Sequence, residues 1–309
     1  LSRRALNQPG CYRDVKDTTV TALFKVTDLA GLAKDKDLLC GWGETCFMAW
    51  TTTPWTLPSN IALCVGPKID YVALRTYNPY TAEKITVIMA ESRVGAYFKA
   101  EAEMRDEDEM PEFKKGDKLV PYRVVAHYKG TDLLEMRYQQ LMPWVRPCEK
   151  VDEWSVDFVK DYANQHPEKV FEGENGHDHF VEMEDQAFRV IPGDYVTTDD
   201  GTGIVHIAST FGADDAKVAR AAHVPALYLI SKKGETRPMV DLQGKYYLME
   251  ELDDNFLNRC VDKQAYGHHA GDYVKNAYDP KFNPEGVWDR KASEKSEDLN
   301  IVICMEMKM

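Results

Sequence analysis

Eleven residues in one stretch carry an unusual density of short polar side chains: Trp50-Thr51-Thr52-Thr53-Pro54-Trp55-Thr56-Leu57-Pro58-Ser59-Asn60. Along an extended backbone, consecutive side chains point to opposite faces, so three threonines in a row put stiff hydroxyls on both sides. Pro54 and Pro58 exclude a regular helix or a central strand there. The result is a fixed path offering donors, acceptors and two aromatic walls, which suits the lining of a polar pocket. The same composition also fits a β-branched edge strand that ends in a proline-rich loop.

A second stretch, Gly201-Thr202-Gly203-Ile204-Val205-His206-Ile207-Ala208-Ser209-Thr210-Phe211-Gly212-Ala213-Asp214-Asp215, places a histidine in an apolar strand and an acidic pair at a helix start. Its glycines permit a tight turn before the strand. Taken singly, His206 reads as a core residue and Asp215 as a cap or a dipole partner.

The elements that must position these residues are strands. Val20 to Val26 alternate apolar and polar, as a half-buried strand does. Cys46–Trp50, Ile61–Val65, Tyr71–Tyr77, Ile85–Ala90, Leu119–Tyr128, Phe188–Ile191, Tyr195–Thr198 and Ile204–Ala208 read as further strands. Turns are expected at Gly66-Pro67, Pro192-Gly193, Asp199-Asp200-Gly201 and Lys232-Lys233-Gly234. Helices are expected at Glu91–Glu103, Asp214–Ala222 and Leu248–Lys263. The acidic stretch Glu101–Glu112 reads as an exposed helix end and loop. The fold class is therefore α+β, mainly β: a β-barrel-like core with peripheral helices and helical insertions. One domain is expected, with its core at about 15–95 and 185–245, a central insertion at about 100–185, and a C-terminal extension at about 246–309.

Composition narrows the partners. Of 309 residues, 44% are hydrophobic and 29% charged, as in ordinary globular proteins, and the net charge is −13. Such a surface repels a phosphate backbone at long range, so nucleic acid must be met by local basic groups. Lys114, Lys115, Lys118, Lys232 and Lys233 are candidates, although solvated loops are the preferred reading of them. The seven cysteines (Cys11, Cys40, Cys46, Cys64, Cys148, Cys260, Cys304) form no Cys-x-x-Cys. Free thiols in a reduced, cytoplasmic compartment are expected. No run of about 18 apolar residues exists, so no membrane helix is expected. The chain does not begin with Met, which suggests an excised piece of a longer protein. His177-x-His179 and His268-His269 lack further ligands at metal-site spacing and read as loop histidines.

Together the two polar stretches resemble the paired pocket motifs of isoleucyl-tRNA synthetase editing domains. The leucine and valine enzymes carry Thr-Thr-Arg-Pro where this chain has Thr51-Thr52-Thr53-Pro54, so Thr53 points to the isoleucine enzyme. Gly10-Cys11-Tyr12-Arg13-Asp14-Val15-Lys16-Asp17 and Gly271-Asp272-Tyr273-Val274-Lys275-Asn276 also resemble that family. The resemblance is strong over about 15–90 and 188–245. The family's synthetic signatures, His-Ile-Gly-His and Lys-Met-Ser-Lys-Ser, are absent, so no ATP-dependent synthesis is expected.

What the resemblance implies is hydrolysis of valine from tRNA(Ile), the second sieve of a double-sieve enzyme. One methylene is worth only about 1–3 kcal/mol in a binding pocket, and isoleucine against valine is itself the standard example of that limit. It implies that Asp215, rather than Asp214, holds the α-ammonium. It implies that His206, Thr53 and Trp55 bound the side-chain pocket. The mechanism expected there is attack by a water positioned by the Thr51, Thr52 and Thr53 hydroxyls, Asn60, backbone groups and the free ribose hydroxyl, with Thr51 and Thr52 contacting the terminal adenosine and the ester. No metal, cofactor or covalent nucleophile is implied. The partners would be the tRNA acceptor end carrying valine and the remainder of the synthetase. The family usually has proline after His-x-Ala; here Ser209 and Thr210 follow, which predicts a less rigid loop. Two other readings stay open: a module that binds the acceptor end with little activity of its own, and the editing domain of a valine-type synthetase.

Overall fold

The computed structural model describes residues 19–105, 109–275, 279 and 280. The stretch Gly10–Asp17, Asn276 and the apolar run Ile301–Met305 lie outside them.

Among the described residues, twelve strands build two sheets: β1 (Val20–Asp28), β2 (Glu44–Thr51), β3 (Ala62–Val65), β4 (Asp70–Tyr77), β5 (Lys84–Ala90), β6 (Arg123–Lys129), β7 (Arg137–Tyr138), β8 (Cys148–Val151), β9 (Val170–Glu172), β10 (His179–Glu182), β11 (Arg189–Pro192) and β12 (Ile204–Ile207); two more, β13 (Leu229–Ile230) and β14 (Thr236–Arg237), pair with each other. Nine form one mixed sheet in the order β12-β3-β11-β7-β1-β2-β5-β4-β6. The pairs β3–β11 and β2–β5 are parallel and the others antiparallel. The small sheet β8-β10-β9 is covered by helix α3 (Asp157–Gln165), whose Val159, Tyr162 and Ala163 pack on Val181 and Met183. The chain is mainly β with few helices, in agreement with the α+β expectation. The large sheet is not a closed barrel: among the described residues its end strands, β12 and β6, do not pair.

The sheet nevertheless curls. Apolar residues pack on both of its faces, with Tyr71, Ala73, Ile88 and Ala90 in one cluster and Val72, Leu74, Val87 and Met89 in another. A sheet covered on both faces has strands that read as continuous apolar runs, as β2 and β5 do. The curl brings β12 over β2 although four strands separate them in the pairing order. The Ala90 amide donates to the Thr202 carbonyl at 2.9 Å and ties the end of β5 to the turn before β12. Tyr71 makes a second tie: its hydroxyl donates to the Gly203 carbonyl at 2.7 Å and accepts from the Gly66 amide at 2.9 Å, with the side chain fully buried. Removing a partner from a buried pair leaves an unsatisfied group at about 1–3 kcal/mol. Tyr71→Phe is thus expected to lower unfolding stability by about 2 kcal/mol in a urea titration. A change below about 0.5 kcal/mol would mean that this tie does not matter.

Three expected elements differ. Glu91–Glu103 is not one helix but a 3-10 turn (Glu91–Arg93), a four-residue helix and a second turn (Ala100–Ala102), because Phe98 and Lys99 are extended. Leu248–Lys263 is likewise broken. Asp253 caps helix α5 (Asp254–Cys260) by accepting from the Phe256 amide, and Asp262 caps α6 (Lys263–Gly267) by accepting from Gln264 and Ala265. Each aspartate starts a new helix, as N-cap residues do. Tyr195–Thr198 is not a strand: after the turn at Gly193 the Val196 amide returns to the Gly193 carbonyl. Helices α1 (Lys36–Cys40) and α2 (Val94–Tyr97) are short, and α4 spans Ala213–Ala221, matching the expected helix there.

Candidate functional site

A cleft of about 520 Å³ opens where the curled edge strand β12 meets the end of β2. Its lining includes Thr51, Thr52, Thr53, Trp55, His206 and Asp215, six of the seven residues singled out in the sequence. Chain geometry accounts for the convergence. Strand β2 delivers Thr51, a 3-10 turn (Pro54–Ser59) carries the backbone across the mouth, β12 presents His206, and the first turn of α4 presents Asp215.

The threonines do not act alike. His206 Nε2 lies 3.2 Å from both the Thr51 and the Thr56 hydroxyl. Thr53 Oγ1 bridges the same pair, at 3.3 Å from Thr51 and 3.4 Å from Thr56. Thr56 also donates to the Thr53 carbonyl at 2.8 Å. Thr52 stands apart: it is exposed in the cleft and has no hydrogen-bond partner among the described residues. Thr56 belongs to the polar stretch but was not singled out. The signal was the three-residue spacing: side chains at i and i+3 eclipse in a 3-10 turn, which places the Thr53 and Thr56 hydroxyls together.

His206 is buried, and burial pushes its imidazole down to about 4. It is therefore neutral at pH 7, since a charged ring loses its hydration on burial. Its Nδ1 is buried without a hydrogen-bond partner. Among the described residues no serine or carboxylate hydrogen-bonds to it to complete a Ser-His-Asp relay; its partners are two threonine hydroxyls.

Asp215 is half-buried, whereas Asp214 is exposed and does not line the cleft. Asp215 Oδ2 accepts from the Ala208 amide at 2.9 Å. Burial raises its carboxyl above the usual range, the Ala208 hydrogen bond opposes this, and the neighbouring Asp214 charge raises it further. No cation pairs with it among the described residues. The same hydrogen bond, with Phe211 N donating to Ala208 O at 2.9 Å, ties down the loop in which Ser209 and Thr210 replace the family's proline.

Asn60 is the residue that the structure does not bring to the cleft. It is buried behind the wall, where Nδ2 donates to the Ala62 carbonyl at 2.9 Å and Oδ1 accepts from the Tyr138 hydroxyl at 2.8 Å. Its polar atoms are spent on holding β3 and β7 together, so the expected part in water positioning is corrected to a structural one. Trp50 lines the cleft as one of the two aromatic walls expected of the threonine stretch, and Tyr195 and Phe211, to which no role was given, line it as well. They are ordinary aromatic positions in sequence, and only the curl of the sheet assembles them.

The far wall depends on two glycines. Gly201 and Gly203 have φ of +62° and +74°, and a Cβ on Gly203 would lie 2.4 Å from the Ala90 Cβ. Arg93 fixes this turn by donating to the Gly201 and Asp199 carbonyls at 2.9 and 3.2 Å. Gly203→Ala combines left-handed strain with that overlap, each costing about 1–3 kcal/mol. The variant is expected to lose about 3 kcal/mol in thermal or urea unfolding, and an unchanged midpoint would contradict the geometry. Opposite, Trp55 carries the Lys275 ammonium 4.0 Å from its ring centroid.

Among the described residues no three His, Cys, Asp or Glu side chains gather as a metal site, the five described cysteines are free thiols, and no helix is long and apolar enough to cross a membrane.

The comparisons with known proteins identify the class as aminoacyl-tRNA ligases. The chain is 52% identical to the isoleucine–tRNA ligase of Bacteroides thetaiotaomicron over its whole length, covering 24% of that ligase. It is 44% identical to the Porphyromonas gingivalis isoleucine–tRNA ligase, again over its whole length and 22% of that protein. The chain belongs to the isoleucine–tRNA ligase family, and it spans about a quarter of the length of the curated relatives it matches. No family model matches it. Among solved structures, the editing domain of the P. knowlesi cytosolic leucyl-tRNA synthetase covers 96% of this chain and 94% of its own, at 12% identity and a TM-score of 0.41. The assignment rests on the sequence relatives.

Proposed function

We propose that the cleft hydrolyses valine from mischarged tRNA(Ile), as the editing domain of an isoleucyl-tRNA synthetase. The observation that carries this reading is Asp215: a half-buried carboxylate that lines the cleft and has no cationic partner among the described residues. A carboxylate kept in that state favours a ligand that brings a positive charge, and the α-ammonium of an aminoacyl ester supplies one through charge-assisted hydrogen bonds. The side chain then points at the block formed by Thr53, Trp55 and neutral His206. Valine fits there, and the extra methylene of isoleucine meets a wall that its own hydrogen bonds hold in place.

In this reading water attacks the ester carbonyl, the carbonyl–oxygen bond to the ribose breaks, and free valine and uncharged tRNA leave. Thr52, with its uncommitted hydroxyl, contacts the ester or the terminal adenosine. Thr51 orients His206 and Thr53 rather than the water. No strong base is required, because orientation of water and ester alone contributes several kcal/mol. The ribose hydroxyl next to the ester accepts a hydrogen bond from the water and relays a proton, taking one from the water as it gives its own to the departing ribose oxygen. The partners are the tRNA acceptor end and the rest of the synthetase, in the cytoplasm, and residues 100–185 are an insertion into the editing core.

Valyl-tRNA(Ile) incubated with the chain tests this reading. Release of valine well above the spontaneous rate is expected. Retained tRNA binding without any release would replace hydrolysis with a docking role.

A further inference from the structure

A second cavity, of about 280 Å³, lies against α4 at Ala216, Ala219 and Arg220. It adjoins the first closely. Ala208 and Asp215 line the cleft, while the next residues along the chain, Ser209 and Ala216, line this cavity. Three of its groups are only partly used by the fold. Glu149 accepts from the Ala226 amide through Oε1 at 2.7 Å, and its Oε2 has no hydrogen-bond partner among the described residues. Arg220, in the last turn of α4, makes no ion pair with a described residue, although its charge lies near enough to Glu149 to favour the ionised form of that carboxyl. Trp154 stands at the rim with 85% of its surface exposed, an uncommon state for the largest apolar side chain. A fourth group, Ser209 Oγ, is buried without a hydrogen-bond partner.

These groups match the parts of one nucleotide. An exposed indole stacks a splayed base, an arginine meets a phosphate, and a carboxylate oxygen accepts from an exocyclic amine, the contact by which Glu reads cytosine. The cavity is small enough to admit one ring system and excludes a duplex. Resting on the reading of the first cleft, we infer that this cavity takes the base of the cytidine that precedes the terminal adenosine of the tRNA. Its amine donates to Glu149 Oε2, its ring lies on Trp154, and Arg220 faces its phosphate. Adjacent residues of one loop and one helix thus hold adjacent nucleotides, so the terminal ester arrives at Asp215 in register.

Fluorescence anisotropy with 5′-labelled tetranucleotides ACCA and ACUA on the full 309-residue chain tests this. The wild-type chain is expected to bind ACCA about tenfold tighter than ACUA. Glu149→Gln, whose amide both donates and accepts, should bring the two within about twofold. Trp154→Ala should weaken both about five- to tenfold and keep their ratio. Equal binding of the two by the wild-type chain, no binding of either, or a ratio that survives Glu149→Gln would overturn the assignment. No aminoacyl ester takes part, so a failure of valine hydrolysis and a failure of this base site are read separately.

Discussion

Asp215→Ala is expected to cut valine release from valyl-tRNA(Ile) by roughly 100-fold or more, measured as kcat/KM. An ammonium drawn into the cleft without its counter-charge loses about 3 kcal/mol or more, and 1.36 kcal/mol is a factor of ten. The alanine variant also loses the hydrogen bond from Ala208 that ties the loop after β12. Asp215→Asn separates the two effects, because its amide oxygen still accepts from Ala208 while the charge is gone. If the charge is what matters, Asn is as poor as Ala. If Asn restores activity, Asp215 is a loop anchor and the ammonium is held elsewhere.

The raised carboxyl of Asp215 sets the pH behaviour. Only the ionised form pairs with an ammonium, so valine release should fall as pH drops through a value above the usual aspartate range. Stability runs the other way. The folded-state pKa lies above the unfolded one, so the folded chain binds more protons between the two, and stability falls as pH rises through that window. Asp215→Asn cannot ionise and is expected to unfold at a slightly higher temperature than the parent at pH 7, while inactive. That pairing of gained stability with lost activity is a mark of a functional carboxylate. A lower unfolding temperature would mean that the ionised group stabilises the free protein.

His206→Ala is expected to admit isoleucine. The imidazole is a neutral wall, locked between the Thr51 and Thr56 hydroxyls at 3.2 Å from each. Forcing one more methylene against a packed wall costs about 1–3 kcal/mol, and removing the wall returns that amount to isoleucine. Hydrolysis of isoleucyl-tRNA(Ile) should therefore rise roughly 10- to 100-fold, with much less change for valine. If valine release collapses and isoleucyl-tRNA is still refused, His206 serves the chemistry and the sieve lies elsewhere.

Much of this site was legible in the primary structure, for particular reasons. Glycines before an apolar strand, a histidine inside it and an aspartate in the next helical turn are local signals, and local geometry kept them: β12 and α4 fall where the pattern put them. The threonine run was legible as polar, but not the division of labour within it. That division comes from a 3-10 turn, which pairs Thr53 with Thr56, and from the curl that sets His206 against Thr51 across four intervening strands. Asn60 misled because an amide beside a polar stretch looks available, whereas two short strands consume it. The helix expected over Leu248–Lys263 failed for a local reason that was visible: Asp253 and Asp262 are N-caps within an otherwise helical pattern. The second cavity had no signature, since Arg220 is distant in sequence from Glu149 and Trp154 and meets them only through packing.

The central claim is that the cleft accepts valine and refuses isoleucine. Initial deacylation rates of valyl-tRNA(Ile) and isoleucyl-tRNA(Ile), taken side by side with the unaltered chain, test it most directly. The account predicts a valine rate at least about tenfold above the isoleucine rate, the lower end of what one methylene against a rigid wall supplies. Equal rates for the two esters would contradict it.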